Sequence, residues 1–245
     1  MLLKRPSDGT DETLSQTEER INAANVLSEL CDNEGFSRVF SGDESVVAKL
    51  CSAFQYKETI GAGAQVLRSL LRTVNLHGAK RRPMLSINNY EEDEDQEYSL
   101  PNAVDFAISD YRVLERCCSF LKEPLYGDTE GETRNGETSG ANRSSLMNTT
   151  YGNTIMPFGS ARLRALDLLA EVVRVGTERM KEELVERGFF RTAMQLCIRY
   201  EWNSFVHVRV EALFTEIFRS SSPHSKTFRE GVLASSRLCD LILEG

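Results

Sequence analysis

Chemistry in this 245-residue chain would have to come from three histidines, six cysteines, some paired acids and one Gly-x-Gly. A histidine works as a general base or metal ligand when a second polar group orients it, so its neighbours decide its role. His77 stands in a polar connecting stretch, His224 in a Ser/Pro turn, and His207 in a helical pattern between Val206 and Val208. His207 reads there as a structural hydrogen-bonding group. Cys31, Cys51, Cys197 and Cys239 lie in apolar helical patterns, where a free thiol behaves as a small hydrophobe, and Cys117-Cys118 are adjacent. No Cys-x-x-Cys or Cys/His spacing suits zinc, and the thiols read as reduced and buried. Glu182-Glu183 fall on the solvent side of a helix, whereas hydrolytic carboxylates must face a cleft. Gly61-Ala62-Gly63 has no Walker sequence around it and reads as close helix packing. No Gly-x-Ser-x-Gly elbow occurs, and Ser222-Pro223 has the form of a proline-directed phosphorylation site. With no nucleophile–base set, the chain reads as non-catalytic, with no cofactor and no metal.

The elements that would position such residues are helices. The densest periodicity runs from Pro157 to Phe218. Leu163, Leu166, Ala170 and Val173 recur at three- and four-residue steps and share a face. Gly176-Thr177 interrupts, with Thr177 as an N-cap, before a short helix carrying Met180, Leu184 and Val185. Gly188 ends it and is suited to a left-handed conformation. A third face holds Phe189, Ala193, Leu196 and Tyr200; a fourth, capped by Asn203 or Ser204, holds Val206, Val210, Leu213 and Ile217. Upstream, a helix with Ile21, Ala24, Leu27 and Cys31 or Leu30 stops at Asp32–Gly35, and Phe36–Phe40 is too short to assign. Asp43 caps a helix with Val46, Val47, Leu50 and Phe54, and Lys57–Val74 carries Ile60, Ala64, Leu67 and Leu71. From Pro101 a single stripe of Val104, Ala107 or Ile108, Tyr111, Leu114, Cys118 and Leu121 ends before Pro124. A last helix holds Val232, Leu233, Leu238, Leu241 and Ile242, and it is expected to be cut short.

Helices this short must pack on one another to be stable, which predicts an all-α, armadillo/HEAT-like α-solenoid of short antiparallel helices. The expected organisation is a disordered lead-in at 1–16, helical repeats at 17–125 with a mobile linker at 76–100, and a disordered polar insert at 126–157. A second set of helical repeats follows at 158–245. Gly35-Phe36-Ser37-Arg38 and Gly188-Phe189-Phe190-Arg191 are alike and support the repeat reading. A net charge of −8 argues against general binding to nucleic acid or anionic membrane. No apolar run approaches the ~18 residues of a membrane span. Met1-Leu2-Leu3 is followed at once by Lys4-Arg5-Pro6, so no signal peptide is read and a cytoplasmic location is expected. The trio Lys80-Arg81-Arg82 admits a nuclear one as well.

Arg199-Tyr200-Glu201-Trp202-Asn203-Ser204-Phe205-Val206-His207 resembles the signature Y-x-W-N-N-F-L-H of the SAPS-domain family, the regulatory subunits of protein phosphatase 6 and their fungal counterparts. Tyr200, Trp202, Asn203, Phe205 and His207 match it; Ser204 and Val206 depart from it. Gly159-Ser160-Ala161-Arg162-Leu163 is similar to the family's G-N-x-R-L, with Gly159 and Arg162 in the matching places. The resemblance implies a non-catalytic regulatory or scaffold subunit that binds a phosphatase 6-type catalytic subunit and an ankyrin-repeat third subunit. The alternative is a generic armadillo-like adaptor with an unrelated partner. Physically, Trp202 at a helix–helix corner reads as a packing anchor before it reads as a contact residue. Asn203 reads as an N-cap, and His207 as the group holding the corner.

Overall fold

The computed structural model describes residues 14–80, 102–126, 147–148, 154–155, 157–219, 223–236 and 240. The chain folds as an all-α solenoid. Its first helices are α1 (Leu14–Cys31), α2 (Glu34–Gly42), α3 (Glu44–Ser52) and α4 (Lys57–Lys80). Next come α5 (Asn102–Asp110) and α6 (Val113–Tyr126), then α7 (Ser160–Val175), α8 (Glu178–Glu186), α9 (Phe189–Arg199), α10 (Ser204–Arg219) and α11 (Pro223–Ser236). Between α6 and α7, β1 (Met147–Asn148) pairs antiparallel with β2 (Thr154–Ile155). Short corners are possible because polar side chains satisfy the helices' orphan N–H groups. Asn33 Oδ1 accepts from the Phe36 N–H at 3.2 Å, and Asp43 Oδ1 from Ser45 and Val46 at 2.9 and 3.1 Å. Thr177 accepts from Met180 at 3.4 Å, and Gly188 turns the chain into α9 with a left-handed φ of 67°.

The helices α4, α7 and α10 lie side by side, with α1 on the far flank of α4. Gly61 faces Ala161, and one stripe further on Arg68 pairs with Asp167 at 3.3 Å. Both partners advance together along the sequence, so α4 and α7 run parallel. Asp167 also meets Arg209 of α10 at 2.5 Å, so one carboxylate ties three helices. In turn, α6 packs on α7, with the guanidinium of Arg162 near the start of α7 over the Phe120 ring in the middle of α6. Along the chain α5 packs on α6, α6 on α7 and α9, and both α8 and α10 on α9. One apolar core threads them, with Phe54, Leu67, Leu121, Leu166, Phe189 and Phe190 fully buried. Burial holds the Asp167 carboxyl above its ordinary pKa despite its two arginines. Asp167→Ala should cost about 1–2 kcal/mol in urea unfolding, since both arginines keep partial access to water that discounts the pair. An unchanged midpoint would refute the tie.

Several expected boundaries differ. Residues 76–80, expected in a linker, continue α4 as far as Lys80. Gly78 costs a helix about 1 kcal/mol relative to alanine, which a long helix absorbs, and no proline intervenes before Pro83. The single stripe after Pro101 is two helices broken at Tyr111-Arg112, with Arg112 at φ 50°. A straight helix would have turned Val113 and Cys117 away from Val104 and Ile108; the break puts all four in the core. Pro124 lies inside the last turn of α6 rather than beyond it, where few later hydrogen bonds are at stake. The stretch 126–157, expected to be structureless, holds the β1–β2 ladder. Phe36–Phe40 belongs to α2. The two Gly-Phe-x-Arg segments are not equivalent: Gly35 sits in the first turn of α2, two helices before α4, while Gly188 precedes α9, one helix before α10. Residues 1–13, 81–101, most of the 127–156 insert, Ser222, Leu238, Cys239, Leu241 and Ile242 lie outside the described residues.

Candidate functional site

The corner between α9 and α10 is built by hydrogen bonds from its own residues. Tyr200 N–H donates to Leu196 O at 2.9 Å, and Asn203 N–H to Tyr200 O at 2.8 Å. Asn203 Oδ1 then accepts from the Val206 N–H at 3.3 Å, which caps α10. His207 Nε2 lies 3.1 Å from the carbonyl oxygen of Cys197; a carbonyl only accepts, so Nε2 is the donor in this contact. The Tyr200 ring is buried and meets Phe158 edge-on at 5.1 Å. Phe158 immediately precedes Gly159, whose φ of 83° turns the chain into α7. Arg162 donates to Phe158 O at 3.2 Å while its guanidinium covers Phe120. Gly159, Arg162, Tyr200, Asn203 and His207 thus sit in one continuous set of contacts joining the starts of α7 and α10.

Trp202 and Phe205 lie elsewhere. Trp202 is 85% exposed and Phe205 68%, so the packing-anchor reading of Trp202 does not hold. Tyr200, two residues earlier, fills the inward position of this tight turn and leaves Trp202 on the outside. Ile198 at the end of α9 and Val208 on α10 are 52% and 54% exposed. Four large apolar side chains within eleven residues therefore face water at one corner. Scattered exposed apolars are ordinary on a soluble protein; a cluster is what marks a contact surface. The sequence signal for it was present, because Phe205 and Val208 fall outside the Val206/Val210/Leu213 stripe.

The remaining chemistry-bearing residues do not converge. The Cys31, Cys51 and Cys118 thiols are pushed up to about 12 by burial, which suits packing and opposes nucleophilic use. Glu182 is exposed as expected, but Glu183 is half-buried and both line a cleft of about 560 Å³ between α5, α6 and α8. In it Glu183 pairs with Arg187 at 2.7 Å, and Arg187 reaches Glu115 at 3.3 Å. Lys122 Nζ adds a 2.7 Å hydrogen bond to Arg187 O. Arg187 thus pairs with both Glu183 and Glu115, so neither carboxylate stands alone in the cleft. Among the described residues no group of three or more His, Cys, Asp or Glu side chains is placed to hold a metal ion. No described helix is long and apolar enough to cross a membrane.

Residues 175–245 match the family model SAPS, described as SIT4 phosphatase-associated protein. The chain is 31% identical over 90 residues to serine/threonine-protein phosphatase 6 regulatory subunit 3-B of Xenopus laevis, covering 36% of this chain and 11% of that protein. It is 30% identical over 78 residues to regulatory subunit 3 of Gallus gallus, covering 32% and 9%. To regulatory subunit 1 of Mus musculus it is 24% identical over 192 residues, covering 74% and 20%. The matched parts thus span between about a tenth and a fifth of the length of these relatives. No solved structure matches the chain. The matched segment contains Tyr200, Trp202, Asn203, Phe205 and His207, while Gly159 and Arg162 lie before it.

Proposed function

From the match of residues 175–245 to the SAPS family model, we propose a non-catalytic regulatory or scaffold subunit that binds a Ser/Thr phosphatase catalytic subunit of the phosphatase 6 type. One observation carries the reading: the matched segment holds the only tryptophan of the chain, and this side chain stands in water, as do Phe205, Ile198 and Val208 close to it in sequence. Large aromatic side chains that do no work in the core are the usual anchors of protein interfaces. In this reading Trp202 and Phe205 are partner contacts. Gly159, Arg162, Tyr200, Asn203 and His207 position them by fixing the corner. An ankyrin-repeat third subunit and a cytoplasmic or nuclear setting belong to the same proposal, and no catalytic step is assigned to the chain.

The test is co-purification with the phosphatase catalytic subunit. Trp202→Ala and Phe205→Ala should each weaken capture about tenfold or more, as interface anchors do, with thermal melting unchanged because neither is buried. Tyr200→Ala should lower melting first, since it empties a buried site against Phe158. Undiminished capture by a Trp202→Ala, Phe205→Ala double variant would refute the contact role. Capture of unrelated partners through this corner, and never of a phosphatase, would favour the general adaptor instead.

A further inference from the structure

The layer made by α4, α7 and α10 carries a strip of arginines on a chain whose net charge is −8. Gly61, Arg68 and Arg72 recur at helical spacing, and the Gly61–Ala161 and Arg68–Asp167 contacts fix that stripe as the one turned towards α7. On α7, Arg164, Asp167, Glu171 and Arg174 form a stripe of their own by the same spacing. From α10, Arg209 reaches the same carboxylate as Arg68. Five guanidiniums thus share the strip with two carboxylates. Asp167 is taken by Arg68 and Arg209, and Glu171 is buried against Arg174. Arg72 and Arg164 have no counter-ion among the described residues.

The donors are also not used up. Arg68 meets Asp167 through one terminal nitrogen and Arg209 through Nε, and each side chain keeps about two-fifths of its surface in water. A guanidinium has five N–H donors in a planar fork, so each retains a face that suits a carboxylate or phosphate. Arg164 is half-buried without an anion, and burial lowers its pKa. A bound anion would offset that desolvation. We propose that the exposed side of the α4–α7–α10 layer binds an acidic protein segment, whose carboxylates or phosphates pair with Arg164 and Arg72 beside the Arg68–Asp167–Arg209 tie. A continuous nucleic-acid backbone fits poorly, because Asp167 and Glu171 interrupt the strip and the whole chain repels a polyanion. Discrete acids can be placed between them.

The proposal does not depend on which phosphatase, if any, the α9–α10 corner contacts. It is tested by fluorescence anisotropy with a labelled Glu/Asp-rich peptide carrying one serine, in plain and phosphorylated forms. Binding should weaken with added salt, and Arg164→Gln or Arg72→Gln should each reduce affinity about three- to fivefold, the double variant about tenfold or more. Arg116→Gln, exposed on α6, should change nothing. A tighter phosphorylated form assigns the strip to phosphate; equal affinity assigns it to carboxylates. Melting curves confirm that the variants are folded. Failure of both peptides to bind, unchanged affinity in a folded double variant, or tighter binding of duplex RNA overturns it.

Discussion

Gly61→Ala is expected to destabilise the protein, although alanine favours a helix over glycine by about 1 kcal/mol. A Cβ at Gly61 would lie 2.6 Å from Ala161 Cβ and 2.7 Å from Ala161 Cα. Carbon atoms pack at ~3.5–4.0 Å, so the two helices would have to separate. They have little freedom to do so, because the Arg68–Asp167 pair holds them a stripe further on and the core runs continuously beneath. Overpacking of this kind costs about 1–3 kcal/mol, and Gly61→Val, with two more carbons, should reach the upper end or beyond. Two internal controls bracket the effect. At Gly63 the nearest atoms are Ala53 Cβ and Phe54 Cε2, both at 3.1 Å, so Gly63→Ala should be nearly neutral or mildly destabilising. Nothing lies within 4 Å of a Cβ at Gly42, and Gly42→Ala should stabilise by about 0.4–1 kcal/mol through the unfolded chain. Urea midpoints in the order Gly42→Ala, wild type, Gly63→Ala, Gly61→Ala, from most to least stable, are the expected result. Gly61→Ala equal to wild type would show that α4 and α7 are not in register at this point.

That close approach was legible in Gly61-Ala62-Gly63, as were the caps at Asp43, Thr177 and Asn203, because each rests on local backbone chemistry that the sequence states directly. The buried stripes of α4, α7 and α10 were legible for the same reason: helical spacing of apolar residues is a local signal. What escaped is set by tertiary packing. The Arg112 break has no glycine or proline to announce it, and only the need to bury Val113 and Cys117 explains it. The extension of α4 to Lys80 reverses a reading of His77-Gly78 that weighed composition over length. At the corner, helical spacing put Tyr200 on the inward face but did not show that Trp202 would be left outside. Tyr200 took the inward place against Phe158, and Trp202 was left in water. The Arg68–Asp167–Arg209 tie joins residues 99 and 42 positions apart, 167 − 68 and 209 − 167, and no local pattern could have paired them.

Raising the pH from 8 to 10 should remove more stability from this protein than any single substitution above. Cys31, Cys51, Cys117 and Cys118 are buried, and burial raises all four thiols, three of them to about 12. Their causes differ in detail. Asp32 adds to the burial effect at Cys31, Cys51 is raised by burial alone, and Lys122 and Arg187 partly oppose it at Cys118. In the unfolded chain a thiol ionises near pH ~8.5. A group whose folded pKa is raised contributes stability that is complete below the unfolded value and is lost as pH climbs through the folded one. The window here therefore opens near pH ~8.5 and closes near 12. At pH ~9.5 the unfolded state gains about 1.4 kcal/mol from each thiol, or roughly 5.6 kcal/mol from four, against a total of about 5–15 kcal/mol for a domain. Urea midpoints measured across this range should fall steeply. Cys51→Ala should start lower at pH 7, because it leaves a small cavity, yet lose less on going to pH 9.5, because one titrating group is gone. That crossing of slopes separates thiol ionisation from lysine or tyrosine deprotonation, which the substitution leaves untouched. Native alkylation of these four thiols at pH 8 should likewise be slow and become fast only in denaturant, since the reactive thiolate forms only where the core has opened. A flat stability profile between pH 8 and 10, or rapid native alkylation, would mean that the four sulfurs are not buried where α1, α3 and α6 place them.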